Sequence, residues 1–232
     1  MSKEVTPIRV AILGATGAVG QTFVRLLAGH PWFRVAEVAA SDRSAGKRYA
    51  DATRWIEGDM PADVAGLIVT TCEPGAVSSP IVFSALDSNV AGEVEGAFAA
   101  AGHLVLSNAR NYRMEPDVPL VIPEVNADHL ALLDTQRARR AWTGGIVTNA
   151  NCAATMAAMA LAPLHAAFGA RRVFVATMQA VSGAGLAGPR AIELLDNVVP
   201  YIAGEEEKIE VELGKILGSA TATLFVPADI VV

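Results

Sequence analysis

Cysteine is scarce in this chain of 232 residues, which contains Cys72 and Cys152 and no others. Two cysteines at unrelated positions do not form a disulfide framework, so we expect a reducing compartment and predict a cytoplasmic protein. Long apolar runs are also absent, since no stretch approaches the roughly 18 to 20 residues of a membrane span. Residues 1–7 are polar and carry no secretory pattern. We therefore expect no membrane partner.

Positive charge and metal-ligand patterns are scarce too. Lys and Arg number 18 against 24 Asp and Glu, and the net charge of −6 argues against general nucleic-acid binding. The histidines show no paired ligand spacing, so we predict no metal site. What the chain does have is Ala, Val and Leu in short runs, which are typical of strands buried on both faces of a parallel sheet.

One cysteine lies where an apolar segment turns into a helix. The run Gly145 to Thr148 predicts a strand, and the alanine-rich stretch after Cys152 predicts a helix. Asn151 is a good N-cap, because its side-chain oxygen can accept an N–H group of the first turn. Cys152 would then lie in that turn, where the helix dipole stabilises a thiolate and N–H groups can hold an oxyanion. We interpret Cys152 as a nucleophile; a buried structural cysteine is the alternative.

A glycine-rich turn follows the first predicted strand, Ile8 to Leu13. Its spacing G-x-x-G-x-x-G, followed by a predicted helix from Gln21 to Ala28, is typical of a dinucleotide-binding unit. Gly14 allows a tight turn, Gly17 lets the backbone approach a phosphate, and Gly20 lets the helix pack closely on the strand. The predicted cofactor-binding residues of this turn are Gly14, Thr16, Gly17, Ala18, Val19 and Gly20.

The second predicted strand, Val35 to Ala40, ends in a polar loop that favours NADP. A carboxylate near this point usually binds the ribose diol of NAD, whereas a 2′-phosphate needs Arg and hydroxyl donors. Arg43 and Ser44 provide such donors, with Lys47 behind them, and Ser41 is predicted to bind the cofactor beside them. Asp42 leaves a contact with a ribose hydroxyl as the alternative.

Further strands are predicted at Leu67 to Thr71, Ile81 to Ala85 and Leu104 to Ser107, with a helix from about Val90 to Ala101 before the third. This alternation implies a mostly parallel sheet. The loop after the third strand leaves the carboxyl end of the sheet, where ligands bind in open α/β sheets. Arg113 lies in this loop, and it either clamps an anionic group or is a solvated arginine.

The second half of the chain adds polar groups suited to acyl chemistry. The run Arg172 to Val181 predicts a long strand that opens into a glycine-rich turn containing Gly185. Gln179, near its end, can orient a carbonyl oxygen through its amide. Further on, an acidic first turn predicts a helix start. On that helix Glu205 and Lys208 share one face, where they either bind an amino group and an anion or form a surface salt bridge.

The whole pattern resembles the aspartate-β-semialdehyde dehydrogenase family, in the branch found in archaea, fungi and some bacteria. The resemblance covers nearly the entire chain, in the family's order. It rests on Gly14 to Gly20, Ser41 to Lys47, Ser107 to Met114, Ile122 to Asn126, Thr148 to Cys152, Gln179 to Gly185 and Asp196 to Lys208. The Asn-x-Asn-Cys and Gly-Glu-Glu-Glu-Lys pieces are fairly specific together, whereas many reductases share the glycine turn.

This resemblance implies roles for individual residues. Cys152 matches the family nucleophile, and Gln179 matches the residue that orients the acyl intermediate. Arg113 and Lys208 match positions that bind phosphate and acyl phosphate, and Glu205 matches the acid that holds the substrate amino group. The remaining matches are Asn151 for the substrate and Ser41, Arg43, Ser44 and Gly185 for NADP.

The implied reaction belongs to amino-acid biosynthesis, on the aspartate pathway to lysine, threonine and methionine. It is the reversible, NADP-dependent reduction of L-aspartyl-4-phosphate to L-aspartate-4-semialdehyde and phosphate through a Cys152 thioester.

The chain departs from the family at its C-terminus. Family members run to roughly 350 residues, as two-domain chains do. They have a later arginine that binds the substrate carboxylate and a histidine that acts as acid and base. This chain stops at Val232, where that segment should begin, and none of its histidines matches. We therefore expect a C-terminally incomplete copy, whose proton transfers would slow by roughly 10² to 10⁴-fold without the base.

The predicted fold class is α/β, with a Rossmann-type dinucleotide-binding domain over residues 1–150 and an incomplete α+β catalytic and dimerisation domain over residues 151–232. We expect a small-molecule substrate and a homodimer or homotetramer formed through the second domain. Two alternatives remain open. A malonyl- or succinyl-CoA reductase has the same fold and thioester, although Glu205 argues against it because a CoA thioester brings no amino group. A non-catalytic nucleotide-binding remnant is the other, because the family histidine is absent.

Overall fold

The computed structural model describes residues 6–181, 183, 191–221 and 224–232. The chain divides into two compact units. The first comprises Met1–Tyr112 and Leu133–Asn149, and the second comprises Arg113–Leu132 and Ala150–Val232.

Residues 113–132 thus group with the second unit, whereas the sequence prediction assigned them to the first domain. The physical reason lies within the second unit, where the buried Lys215 side chain donates hydrogen bonds to three carbonyl groups of this segment. The division at residue 150 stays a prediction.

The first unit is built on a parallel sheet, as predicted. Its strands are β1 (Ile8–Leu13), β2 (Phe33–Ala40), β3 (Val69–Thr71), β4 (Ile81–Ser84), β5 (Leu104–Ser107) and β6 (Gly145–Thr148). They lie in the order β3-β2-β1-β4-β5-β6, and every neighbouring pair is parallel. The chain order reverses between β1 and β4, so the turn after β1 lies at the switch point where ligands of open α/β sheets bind.

Strand β1 shows why its sequence is an unbroken apolar run. Val10, Ala11, Ile12 and Leu13 are all 0% exposed, because both faces of the strand are covered. Burial of each larger side chain, Val10, Ile12 and Leu13, stabilises the fold by about 1.5–3 kcal/mol.

The described helices are α1 (Ala18–Leu27), α2 (Tyr49–Ala52), α3 (Ala62–Ala65), α4 (Ser88–Ala100), α5 (Pro123–Asn126), α6 (Leu132–Arg140), α7 (Cys152–Phe168), α8 (Ala191–Leu194) and α9 (Glu205–Ile216). Two 3-10 turns, Pro74–Ala76 and Ala127–Ala131, accompany them. Helices α5, α7, α8 and α9 belong to the second unit. Among the described residues, no helix combines the length and the apolar character needed to cross a membrane.

The predicted element bounds hold closely in the first unit. Strands β1, β5 and β6 have the predicted bounds, while β2 begins two residues earlier, at Phe33. Helix α1 begins at Ala18 rather than Gln21. It starts inside the glycine turn because Gly17 takes an extended N-cap conformation, with φ −77° and ψ 167°.

The second unit has its own core, in which α7 and α9 pack together. The buried residues of this core are Leu120, Ile122, Ala153, Ala158, Ile209, Leu213 and Ile216. A short antiparallel pair of strands, β7 (Ser219–Ala220) and β8 (Phe225–Val226), follows α9. The second unit therefore combines helices with antiparallel strands.

The predicted long strand from Arg172 to Val181 is wrong. Within the described residues, its strand pairing is limited to one bridge between Arg172 and Val231. Phe174 is 98% exposed and Met178 is 100% exposed. Aromatic and β-branched residues favour a strand through their packing against neighbouring strands, and this segment has almost none of that packing.

Candidate active site

Cys152 is the first residue of α7, four residues after the end of β6. The Asn151 side chain caps the helix, since its Oδ1 accepts hydrogen bonds from the N–H groups of Ala153 at 2.9 Å and Ala154 at 3.3 Å. This confirms the predicted N-cap. Cys152 is exposed, so the alternative of a buried structural cysteine does not describe it. An exposed thiol at a capped helix N-terminus is well placed for attack on a carbonyl group.

Cys152 and Gln179 line the same open cleft of the second unit, which has a volume of about 190 Å³. The other lining residues are Met156, Met178, Ala180 and Gly183. The cleft therefore combines a thiol, an amide that can orient an oxygen, and two flexible thioether side chains that can adapt to a small ligand. The two methionines were not predicted, because methionine carries no sequence signal that separates a cleft lining from a core.

Arg113 is only 9% exposed, so the alternative of a solvated arginine is wrong. Its Nη1 forms an ion pair with Glu212 Oε1 at 3.0 Å. The other carboxylate oxygen of Glu212 accepts a hydrogen bond from the Asn151 backbone N–H at 2.5 Å. Two predicted substrate-binding residues are thus connected through one carboxylate.

Glu212 was missed by the sequence interpretation. It is followed four residues later by Ile216 and preceded three residues earlier by Ile209, and both isoleucines are buried. A helical periodicity of i, i+3, i+7 places Glu212 on the apolar face of α9. A carboxylate on an apolar helix face needs partners, and that was the available signal.

Lys215 is a second polar residue that the sequence interpretation missed. It is 0% exposed, and its Nζ donates to the carbonyl groups of Arg113, Glu115 and Val118, each at 2.7 Å. Burial lowers the pKa of Lys215 to about 8, while the nearby carboxylates of Asp117, Glu115 and Glu212 oppose this shift. The side chain holds the loop that carries Arg113.

Glu205 and Lys208 occupy the first turn of α9, as predicted. The helix begins after Gly204, which has φ 69° and no side chain to cap it. Glu205 is 8% exposed, which argues against the alternative of a surface salt bridge, and Lys208 is half-buried. Lys208 lies one helical turn before Glu212, so both face the same side of α9.

The predicted cofactor residues other than Gly185 lie in the first unit, and two glycines allow close backbone packing in the turn there. Gly14 has φ 70°, and a Cβ at this position would lie 2.6 Å from the Ala85 carbonyl oxygen. A Cβ on Gly20 would lie 2.3 Å from the Gly14 carbonyl oxygen. Among the described residues, no side chain caps α1 at Gly17, so the N–H groups at the start of the helix remain available to a phosphate.

Gln21 was predicted as a helical residue and proves to lock this glycine turn. It is 1% exposed, and its Nε2 donates to the carbonyl groups of Thr16 at 3.0 Å and Arg54 at 3.1 Å. Its Oε1 accepts from the Ile56 N–H at 2.9 Å. No local sequence signal marks this role, because two of the three partners, Arg54 and Ile56, lie more than thirty residues away along the chain.

The loop after β2 has the predicted donors on its surface. Ser41 and Arg43 are exposed and Ser44 is half-buried. The Ser44 N–H donates to the Ser41 carbonyl at 2.8 Å, which closes the turn. Asp42 is exposed beside them, so the geometry is compatible both with binding of an NADP 2′-phosphate and with a contact between Asp42 and a ribose hydroxyl. Gly185 lies outside the described residues.

Metal-binding side chains do not cluster in the part of the chain that the structure describes. The His, Cys, Asp and Glu residues there form no group of three or more that could hold an ion. The absence of a metal site stays a prediction.

Comparison with known proteins gives two family-model matches. Residues 9–133 match the model described as semialdehyde dehydrogenase, NAD binding domain. Residues 161–226 match the model described as semialdehyde dehydrogenase, dimerisation domain.

Individual relatives are named aspartate-semialdehyde dehydrogenase. The chain is 49% identical over 222 residues to an aspartate-semialdehyde dehydrogenase of Archaeoglobus fulgidus, covering 95% of this chain and 64% of the relative. It is 49% identical to that of Schizosaccharomyces pombe, covering 93% and 62%. The crystal structure of the Candida albicans enzyme with NADP superimposes with a TM-score of 0.88 at 39% identity, covering 96% and 65%. The chain thus spans less than two thirds of the length of these relatives.

Proposed function

We propose, from the premise that this chain belongs to the semialdehyde dehydrogenase family, that it takes part in the reversible NADP-dependent reduction of L-aspartyl-4-phosphate to L-aspartate-4-semialdehyde and phosphate. The observation that carries the proposal is the shared cleft of Cys152 and Gln179, with Cys152 at a capped helix N-terminus. The relatives named aspartate-semialdehyde dehydrogenase support this substrate over a CoA thioester.

The thiolate of Cys152 attacks the carbonyl carbon of the acyl phosphate in this reaction. A C–S bond forms, the C–O bond to phosphate breaks, and phosphate leaves with the electron pair. NADPH, when bound, supplies the hydride that reduces the resulting Cys152 thioester. The thiolate then leaves, and the aldehyde is released. One acyl phosphate, one NADPH and one proton thus give one aldehyde, one NADP⁺ and one phosphate.

The residues of the second unit divide the remaining tasks. The Asn151 cap holds the first turn of α7 through the N–H groups of Ala153 and Ala154, and the positive end of the helix stabilises the negative charge that develops on the carbonyl oxygen. The Gln179 amide orients the acyl group in the cleft. Arg113 and Lys208 bind the phosphate charge, and Glu205 binds the substrate amino group.

The glycine turn and the loop after β2 are proposed to bind NADP. Gly14 allows the tight turn and Gly20 lets α1 pack closely on it. Gly17 lets the backbone approach the pyrophosphate, which the N–H groups of Ala18 and Val19 face, beside Thr16. Ser41, Arg43 and Ser44 provide donors for a 2′-phosphate. The NADP in the Candida albicans structure supports this choice of cofactor.

We also infer a cytoplasmic homodimer or homotetramer. The match of residues 161–226 to a dimerisation domain supports self-association. The same region exposes large apolar side chains, Phe168 at 82% and Phe174 at 98%. Analytical ultracentrifugation of the chain measures the oligomeric state, and a strictly monomeric species at all concentrations would contradict this part of the proposal.

The test of the proposal is Cys152→Ser, with Cys72→Ser as the matched control. NADPH formation is followed by absorbance with aspartate semialdehyde, NADP⁺ and phosphate. We expect Cys152→Ser to lower turnover by at least about 10³-fold and to abolish the acyl adduct seen by mass spectrometry. Cys72→Ser should retain both. Turnover that survives in Cys152→Ser, or that requires malonyl- or succinyl-CoA, would refute the proposal, and so would a wild-type chain that forms no acyl adduct.

A further inference from the structure

Glu212 contacts two predicted site residues at once. Its side chain is 3% exposed and lies on α9. Oε1 accepts a hydrogen bond from Arg113 Nη1 at 3.0 Å, and Oε2 accepts one from the Asn151 N–H at 2.5 Å. Arg113 and Asn151 are 38 residues apart in the sequence by their numbering, so this carboxylate is a long-range link between them.

The contact with Asn151 acts on the start of the nucleophile helix. The Asn151 N–H belongs to the peptide just before the helix. The side chain of Asn151 accepts hydrogen bonds from the N–H groups of Ala153 and Ala154. Fixing this backbone therefore fixes the cap, and the cap fixes the first turn that contains Cys152.

The contact with Arg113 acts on the anion-binding group. The two side chains of the pair are 11% and 3% exposed, so water screens them little and the charge-assisted hydrogen bond is strong. Lys215 holds the backbone of the same arginine through the Arg113 carbonyl at 2.7 Å. The guanidinium and its main chain are thus both restrained by residues of α9.

The chemistry of these two contacts requires a carboxylate. Both partners are N–H donors, and an ionised carboxylate offers an acceptor oxygen to each. A glutamine offers one acceptor oxygen and turns an amide donor toward the other N–H. Aspartate keeps the charge but shortens the side chain by one methylene, so it cannot reach both partners from the same backbone position.

We propose that Glu212 is a positioning residue for the reaction. It holds the guanidinium of Arg113 and the cap of the Cys152 helix in one arrangement, so that the phosphate group and the attacked carbonyl of one acyl phosphate are both aligned. This inference rests on the function proposed above, and it adds a residue that none of the assigned roles includes.

For Glu212→Gln, electrostatics alone and the loss of positioning predict opposite changes in phosphate affinity. Glu212→Gln removes a negative charge beside Arg113, and by charge alone the site should bind phosphate more tightly. Loss of positioning should instead weaken phosphate binding near Cys152. The sign of the change therefore separates the two explanations.

The experiment measures protection of Cys152 from iodoacetamide by inorganic phosphate. Labelling is quantified by mass spectrometry on separate tryptic peptides, so that Cys72 serves as an internal reference. The variants are Glu212→Gln, Glu212→Asp and the control Glu210→Gln, which removes an exposed carboxylate from the same helix. We expect the phosphate concentration for half-protection to rise about tenfold in both Glu212 variants, as for a lost charge-assisted hydrogen bond. Glu210→Gln should match the wild type.

Three results would overturn the inference. They are unchanged or tighter phosphate protection in Glu212→Gln, wild-type protection in Glu212→Asp, and no protection of the wild-type thiol by phosphate. A merely structural role would lower the melting temperature and leave half-protection unchanged in the folded protein, so melting curves are recorded for each variant. If Glu212→Gln fails to fold, the phosphate half-protection of Glu212→Asp tests the inference instead. Labelling is independent of turnover, so weakened protection without NADPH formation would support the inference while the proposed function fails.

Discussion

Replacing Gly20 by alanine should damage the glycine turn of the first unit, which we propose binds NADP. A Cβ at Gly20 would lie 2.3 Å from the Gly14 carbonyl oxygen and 2.6 Å from the Ala15 Cα. The first distance is about 1 Å short of ordinary van der Waals contact, and both neighbours are backbone atoms that cannot rotate away. Helix α1 must therefore move away from the turn by a comparable distance.

The cost of this movement follows from the packing. Overpacking of a well-packed site costs about 1–3 kcal/mol, so the free energy of unfolding of the first unit should fall by that amount in Gly20→Ala. A displacement of about 1 Å also removes charge-assisted hydrogen bonds between the start of α1 and a pyrophosphate. We expect the Kd for NADP to rise by about tenfold or more.

Gly66→Ala is the matched control, because a Cβ there would have no heavy atom within 4 Å and the backbone does not lie in the left-handed region. It should leave the Kd unchanged and raise the free energy of unfolding by about 0.4–1 kcal/mol, because alanine restricts the unfolded chain. The two substitutions should thus change the free energy of unfolding in opposite directions.

Urea unfolding followed by tryptophan fluorescence isolates this effect. Trp32, Trp55 and Trp142 all lie in the first unit. Isothermal titration calorimetry measures NADP binding. Wild-type unfolding free energy together with wild-type NADP affinity in Gly20→Ala would refute the reasoning.

Two further substitutions probe the second unit. Asn151→Ala removes the cap that accepts two N–H groups, so we expect a loss of about 1 kcal/mol in the free energy of unfolding and slower alkylation of Cys152. Asn151→Ser is the control, because serine keeps a cap without adding charge beside the thiol. Unchanged alkylation in Asn151→Ala would contradict this. Lys215→Met tests the pH dependence of the free energy of unfolding. Burial lowers the pKa of Lys215 to about 8. When the pH rises from 8 to 10, the lysine therefore loses its proton in the folded protein before it does so in the unfolded chain. The free energy of unfolding of the wild type should therefore rise over this pH range by about 2 kcal/mol relative to Lys215→Met. Urea unfolding followed by circular dichroism measures it. Parallel curves of unfolding free energy against pH for the two proteins would refute the prediction.

Local signals in the sequence were enough for the first unit. The apolar run of β1 predicted a strand with both faces covered, and its four inner residues are fully buried. The glycine spacing predicted a close-packed turn, and the clashes that a Cβ would make at Gly14 and Gly20 agree with it. Such signals work because a strand, a tight turn and a helix start depend on neighbours within a few residues.

The segment from Arg172 to Val181 shows where such signals stop working. Its β-branched and aromatic residues predicted a strand, but a strand needs partners elsewhere in the chain. The described residues supply one bridge, to Val231, which is far away along the sequence. Propensity therefore could not decide the conformation of this segment.

The contacts of the candidate site also fall into those set by adjacent residues and those set by the tertiary fold. The sequence by itself determined the cap of α7 and the exposed thiol after it, since Asn151 contacts N–H groups two and three residues away. Tertiary structure alone decided that Glu212 joins Arg113 to Asn151 and that Lys215 binds three carbonyl groups about a hundred residues away. A cap is specified by adjacent residues, whereas the partners of a buried charge are specified by which segments the fold brings together, and desolvation makes those partners necessary.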